Sequence, residues 1–169
     1  MITLPTASLV LLVGPSGVGK TTFARRWFDA GAVVSSDDFR KLVADDETDQ
    51  DATADAFEVL HLVTAKRVGR RLTTVVDATN LKPEDRARSL DLAGEHGVAA
   101  SAIVFDLPLD TCLSQNQGRL RRVPEEVVRE HHLLVQAAVI DLAHEDFASV
   151  FRLTSHAEVD EAVVRWAAD

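Results

Sequence analysis

Five short apolar runs, at residues 8–13, 32–34, 72–76, 98–106 and 147–153, alternate with longer stretches whose apolar positions recur at helical spacing. Ala56, Val59, Leu60 and Val63 fall at i, i+3, i+4 and i+7, and this helix has an acidic start at Asp51 and Asp55 and a basic end at Arg70 and Arg71, as the helix dipole favours. A helix after residue 19 is expected to end at Gly31 as a left-handed cap, and a short helix over 38–42 to be capped by Asp37 or Asp38. Pro83 and Pro124 each open a helix, and residues 107–118 also read as helical. A last helix, started by the capping box Ser155-x-x-Glu158, would bury Val159, Ala162, Val163 and Trp166. The alternation predicts an α/β fold: a five-stranded parallel sheet with helices on both faces and right-handed crossovers. Residues 1–169 read as one domain, with a helix-turn-helix over about 107–145 as a candidate lid.

The first strand runs into Gly14-Pro15-Ser16-Gly17-Val18-Gly19-Lys20-Thr21, a complete match to G-x-x-x-x-G-K-[ST] in the strand-then-helix setting of a P-loop. Glycines let the turn close with its N–H groups pointing inward, where phosphate oxygens collect them. Lys20, expected to face solvent from the loop, can bridge the β and γ phosphates, and Thr21 can give its hydroxyl to Mg²⁺. Thr22 carries the chain into a helix whose positive dipole end faces the same anion, so ATP with Mg²⁺ is the implied cofactor.

Two further strands end in carboxylates, at Ser35-Ser36-Asp37-Asp38 and at Asp77-Ala78-Thr79-Asn80. In an open parallel sheet the ligand crevice lies at the carboxyl ends of the strands, which brings both beside the phosphates. Asp77 either holds a Mg²⁺-bound water or only fixes the loop that follows it.

Composition narrows the class without changing it. A net charge of −9 argues against coating nucleic acid by general electrostatics, yet leaves room for gripping one strand end. Cationic residues cluster at Lys66, Arg67, Arg70 and Arg71, explained by the helix dipole, and at Arg119, Arg121 and Arg122 in the candidate lid. Cys112 is the one cysteine and reads as a buried thiol. The six histidines lack zinc-site spacing, and His131 and His132 read as surface and interface residues. No G-x-S-x-G elbow is present, and the first residues lack a secretory signal, so a cytoplasmic location without membrane contact is expected.

Together GPSGVGKTTF, SSDDFR, DDETDQDAT, VVDATN and the Arg-rich segment followed by VPEEVV resemble, over nearly the whole chain, the kinase domain of the bacterial polynucleotide kinase-phosphatase family of RNA end-healing enzymes. That resemblance implies transfer of the ATP γ-phosphate to a 5′-hydroxyl end of RNA or DNA. Asp37 then maps to the general base, Arg40 lies near the acceptor's phosphate, and Gln50 faces the acceptor. Arg119 would clamp the donor phosphates and complete a catalytic set with Lys20 and Asp37, with Arg122 close by. The chain departs from the family at Gln115, where a further lid arginine is common and for which Arg122 could compensate. Phosphatase and ligase modules often follow the kinase in that family and are the expected partners. The chain, ending at Asp169, is expected to be either an excised domain or a free-standing kinase. A P-loop kinase for a small metabolite or nucleoside is the second reading, and a non-catalytic nucleotide-binding module the third. A proton acceptor at Asp37 argues against the third.

Overall fold

The computed structural model describes residues 1–118 and 122–167. In chain order the elements are β1 (Ile2–Leu4), β2 (Leu9–Val13), α1 (Lys20–Trp27), β3 (Val33–Ser35), α2 (Ser36–Ala44), α3 (Thr53–Val68), β4 (Thr74–Asp77), α4 (Pro83–Glu95), β5 (Ala100–Phe105), α5 (Leu109–Gln117), α6 (Glu125–Asp141), β6 (Ser149–Leu153), α7 (His156–Glu161) and β7 (Val164–Trp166). Five strands form one parallel sheet in the order β3-β4-β2-β5-β6. This is the expected α/β architecture.

All five residues of β2 are buried because helices cover both faces of the sheet. The two-residue period of the strand sorts them. Leu9, Leu11 and Val13 join a core with Leu60 and Val68 of α3 and Ala93 of α4. Val10 and Leu12 join a second core with Phe23 and Ala24 of α1 and Cys112 of α5. Helix α6 contributes Val128 to the second core and Val135 and Ala138 to the first, so it passes from one face to the other, with His131 between the two anchors.

The chain ends depart from expectation. The last helix stops at Glu161, and Val164–Trp166 instead pairs in parallel with Ile2–Leu4, an N-terminal strand the apolar pattern did not announce. Ala162 turns extended at φ −56° and ψ 135°, and the Val163-Val164 pair that follows suits a pleated surface better than a helix. Trp166 is partly exposed and meets Phe28 edge-on at 6.0 Å. Gly31 is not a left-handed cap: α1 ends at Trp27, and Gly31 lies within a short 3-10 turn, Ala30–Ala32. Strand β4 begins at Thr74, leaving Leu72 exposed.

Candidate active site

Four structures meet at the carboxyl edge of the sheet: the loop after β2, the start of α2, the end of β4, and the α5–α6 segment. They enclose a cleft of about 600 Å³. The P-loop is shaped by its neighbours as well as by its own residues. A Cβ on Gly14 would lie 2.9 Å from Phe105 Cβ and 3.2 Å from the Phe105 carbonyl oxygen, so β5 leaves room only for glycine. Gly19, at φ 101°, turns the chain into α1 through a conformation that favours glycine. The Gly14 N–H donates to the Thr79 carbonyl, and Asn80 Nδ2 donates to the Leu12 carbonyl at 2.8 Å, so the Asp77–Asn80 loop holds the chain where β2 runs into the P-loop.

Lys20 does not face solvent as expected. It is buried, and its Nζ donates to the carbonyls of Gly14 at 2.9 Å and Pro15 at 2.6 Å. Gly17, Gly19, Lys20, Thr21 and Thr22 line the cleft with Ser16, whereas Pro15 shapes the loop and Val18 is buried in the core beneath it. The Thr21 hydroxyl donates to Asp77 Oδ2 at 2.7 Å. Burial pushes the Asp77 carboxyl above its ordinary range; the Thr21 hydroxyl and the Lys20 ammonium pull it down, and Asp37 and Asp38 push it up. A buried carboxylate and a hydroxyl side by side are two hard oxygen donors, and a cation there would relieve the cost of the buried charge. This donor set fits Mg²⁺. No cluster of three or more His, Cys, Asp or Glu suited to a metal occurs among the described residues, so phosphate and water oxygens would complete the shell.

The opposite wall carries Asp37, Arg40 and Gln50, all lining the cleft. Arg40 is buried, and its Nη1 donates to Asp37 Oδ1 at 2.8 Å and to the Glu47 carbonyl at 2.9 Å. Its Nε is buried without a hydrogen-bond partner. Asp37 and Arg40 lie three residues apart on α2, one turn of helix, which brings the guanidinium onto Asp37. The Asp37 side chain keeps 60% of its surface exposed, open towards the cleft. Neither aspartate caps α2. Ser35 does, accepting the Asp38 N–H, and Asp38 lies outside the cleft lining. Gln50 Nε2 donates to the Thr48 carbonyl.

From the α5–α6 segment come Arg122, Val123, Pro124, Val127 and His131. Asn116 closes the turn between the two helices by exchanging two hydrogen bonds with the Val123 backbone. Arg119 lies outside the described residues. Gln115 contacts His156 of α7 and does not line the cleft. His131, read from sequence as a surface or interface residue, faces the P-loop: its Nδ1 accepts the Ser16 N–H at 3.4 Å. Burial, and then the Lys20 ammonium, lower its pKa, with Glu130 opposing. Nothing in the sequence marked it, because its partner lies 115 residues away.

Arg86 also escaped sequence reading. It is fully buried, donates to Glu145 through Nε at 2.8 Å and Nη2 at 2.6 Å, and donates through Nη1 to the carbonyls of Asn80 and Leu81. It thus ties the loop after Asp77 to the chain just beyond α6.

Residues 9–142 match the AAA domain family, and the chain belongs to it. Its fold is that of P-loop kinases. A structure of the Pnkp1/Rnl/Hen1 RNA repair complex aligns with a TM-score of 0.66 and 23% identity, over 83% of this chain and 47% of that one. The chain therefore spans about half the length of that protein. A putative kinase from Chloroflexus aurantiacus aligns with a TM-score of 0.64 and 15% identity, over 94% and 90% of the two chains. The Mycobacterium tuberculosis APS kinase CysC, solved with AMPPNP and APS, aligns with a TM-score of 0.56 and 20% identity, over 93% of each chain. Among curated proteins, none matches the sequence. Among the described residues no helix is long and apolar enough to cross a membrane.

Proposed function

We propose that the protein is an ATP-dependent polynucleotide 5′-hydroxyl kinase. The observation that carries this reading is the Asp37–Arg40 pair, set in the same cleft as the P-loop and the Thr21–Asp77 pair. The P-loop amides and Lys20 would seat the triphosphate, Lys20 leaving its two carbonyls to reach the phosphates. Arg119 and Arg122 would clamp them from the lid, residues 107–145. Mg²⁺ held by Thr21 and Asp77 would offset charge developing on the β–γ bridge and γ oxygens.

Asp37 accepts the proton of the attacking hydroxyl as a bond forms between that oxygen and the γ-phosphorus. The bond from the γ-phosphorus to the β–γ bridging oxygen breaks, and ADP leaves. A general base of this kind contributes about 10²- to 10⁴-fold. Arg40 serves the acceptor: a guanidinium can hold two phosphate oxygens at once, so it reads the first phosphodiester and orients the 5′-oxygen for attack, with Gln50 beside it. A nucleoside or sugar offers no such phosphate. Ligase and phosphatase partners, as in an RNA repair assembly, belong to this reading.

The test is transfer of label from γ-labelled ATP, with Mg²⁺, to an oligonucleotide bearing a 5′-hydroxyl. Label at the 5′ end, and none on the same oligonucleotide already 5′-phosphorylated, is the expected result. Label only on small alcohols would favour the small-molecule kinase reading, towards which the end-to-end likeness to APS kinase points.

A further inference from the structure

The lid helix brings one titratable side chain to the phosphate seat that the reading above leaves without a task. His131 Nδ1 accepts the N–H of Ser16, a P-loop amide whose use in a nucleotide-bound protein is to hold a phosphate oxygen. The ring sits midway between Val128 and Val135, which anchor α6 in two different cores, so it is not free to swing away with a flexible arm. It also lines the same cleft as Lys20 and Thr21.

We propose that His131 is a ligand of the donor nucleotide's phosphate chain, carried by α6, which exchanges its bond to the Ser16 amide for a bond to a phosphate oxygen. The donor–acceptor arithmetic fixes what accompanies that exchange. An amide N–H only donates, so Nδ1 now bears no proton; a phosphate oxygen only accepts, so Nδ1 must carry one to meet it. A shift of the ring proton from Nε2 would also put one on Nδ1, but the triphosphate's negative charges favour uptake from solvent, and the imidazolium so formed adds a charge-assisted hydrogen bond to the clamp. Without nucleotide, burial and Lys20 hold the ring neutral, with Glu130 of α6 opposing. Among the described residues, the other charged groups lining the cleft are Asp77 from β4, Asp37 and Arg40 from α2, and Arg122 from the segment before α6. A triphosphate brings several negative charges among them and reverses the balance at the ring.

The inference rests on the nucleotide-binding half of the proposed function and not on the acceptor. It is tested by calorimetric titration of the protein with MgATP at neutral pH, in buffers of different ionisation enthalpy, for wild type, His131→Gln and His131→Ala. Losing a charged hydrogen bond should weaken MgATP roughly 10- to 100-fold in both variants. Wild type should take up more protons per ATP bound than either variant, and a proton spectrum of the ring should show its pKa rising when MgATP is added. Melting curves of the free variants establish that they are folded. Unchanged or tighter binding by the variants would mean that the ring only occupies an empty loop, and overturns the proposal. Weaker binding with no difference in proton uptake would mean a ring that stays neutral, packed on the nucleotide or bonded through its other tautomer, and overturns the proposed imidazolium. Absence of MgATP binding to the wild type would overturn both this inference and the nucleotide-binding reading, whereas ATP binding without transfer to a 5′-hydroxyl would overturn only the acceptor.

Discussion

Arg86→Met is expected to be the most destabilising single change outside the hydrophobic core. The guanidinium has no exposed surface, donates to both carboxylate oxygens of Glu145 at 2.6–3.1 Å, and donates to two main-chain carbonyls, Asn80 at 3.1 Å and Leu81 at 2.8 Å. Methionine fills much of the same volume, so the loss is mainly one of charge and hydrogen bonding. Glu145, with a side chain only 17% exposed, would be left as an uncompensated carboxylate, and Asp141, 3.6 Å from the Arg86 guanidinium, would lose its cation as well. Breaking such a buried pair costs about 3–5 kcal/mol. A domain of this size has roughly 5–15 kcal/mol in hand and shifts about 2–4 °C in Tm per kcal/mol, so a fall of roughly 6–20 °C is expected. Urea unfolding of wild type, Arg86→Met, Glu145→Leu and the double variant gives the coupling directly. The double variant should recover much of the loss, since it removes both charges together. It should not recover all of it, because the two carbonyls still lack donors. A cost below about 1 kcal/mol for Arg86→Met would refute the reasoning, showing the Asp77–Asn80 loop to be held by Asn80 alone.

Other expectations are simpler. Lys20→Ala should abolish phosphoryl transfer, with circular dichroism unchanged, because its two carbonyl partners lie at the mouth of the loop; more than roughly a tenth of wild-type rate would contradict the several kcal/mol of transition-state stabilisation assigned to it. Asp37→Asn should lose about 10²- to 10⁴-fold in kcat with ATP still bound, whereas Asp38→Asn should leave rate and Tm nearly untouched and Ser35→Ala should cost about 1 kcal/mol as the true helix cap. For Asp77 the folded-state pKa lies above its unfolded value, so the folded protein binds more protons within that window and its stability falls as pH rises through it. Asp77→Asn should therefore melt higher than wild type at neutral pH without Mg²⁺, with the gap closing in acid, while transfer is lost; a lower Tm for the variant would contradict the stated cost of the buried charge.

Much of this was legible from local pattern. The P-loop motif, the acidic strand ends and the alternation of strands with helices carry their meaning within a few residues of each other, and the parallel sheet follows. Asp37 and Arg40 are named through the family resemblance, and their ion pair, one turn of helix apart, comes from the structure. What escaped depends on distant contact. His131 acquires its place from Ser16, and Arg86 reads as an ordinary charge on an amphipathic helix until Glu145 folds over it. The end of the chain reads as helix by capping box and spacing, but the free backbone of Ile2–Leu4 draws Val164–Trp166 into a strand. Lys20 reads as a loop residue, yet the carbonyls of its own loop bury it.

The central claim, that the cleft accepts a polynucleotide end through Arg40, is tested most directly by acceptor discrimination. One measures kcat/KM for a 5′-hydroxyl oligonucleotide, a nucleoside 3′-phosphate and the corresponding free nucleoside, with wild type and Arg40→Ala. The two phosphate-bearing acceptors should be strongly preferred by wild type, and Arg40→Ala should narrow the gap by slowing them while leaving the nucleoside nearly unchanged. With so acidic a protein, few other cations are available to the strand, so the preference should depend only shallowly on salt. Equal efficiency on free nucleosides or sugars by wild type, or an equal loss on all acceptors in Arg40→Ala, would contradict the account.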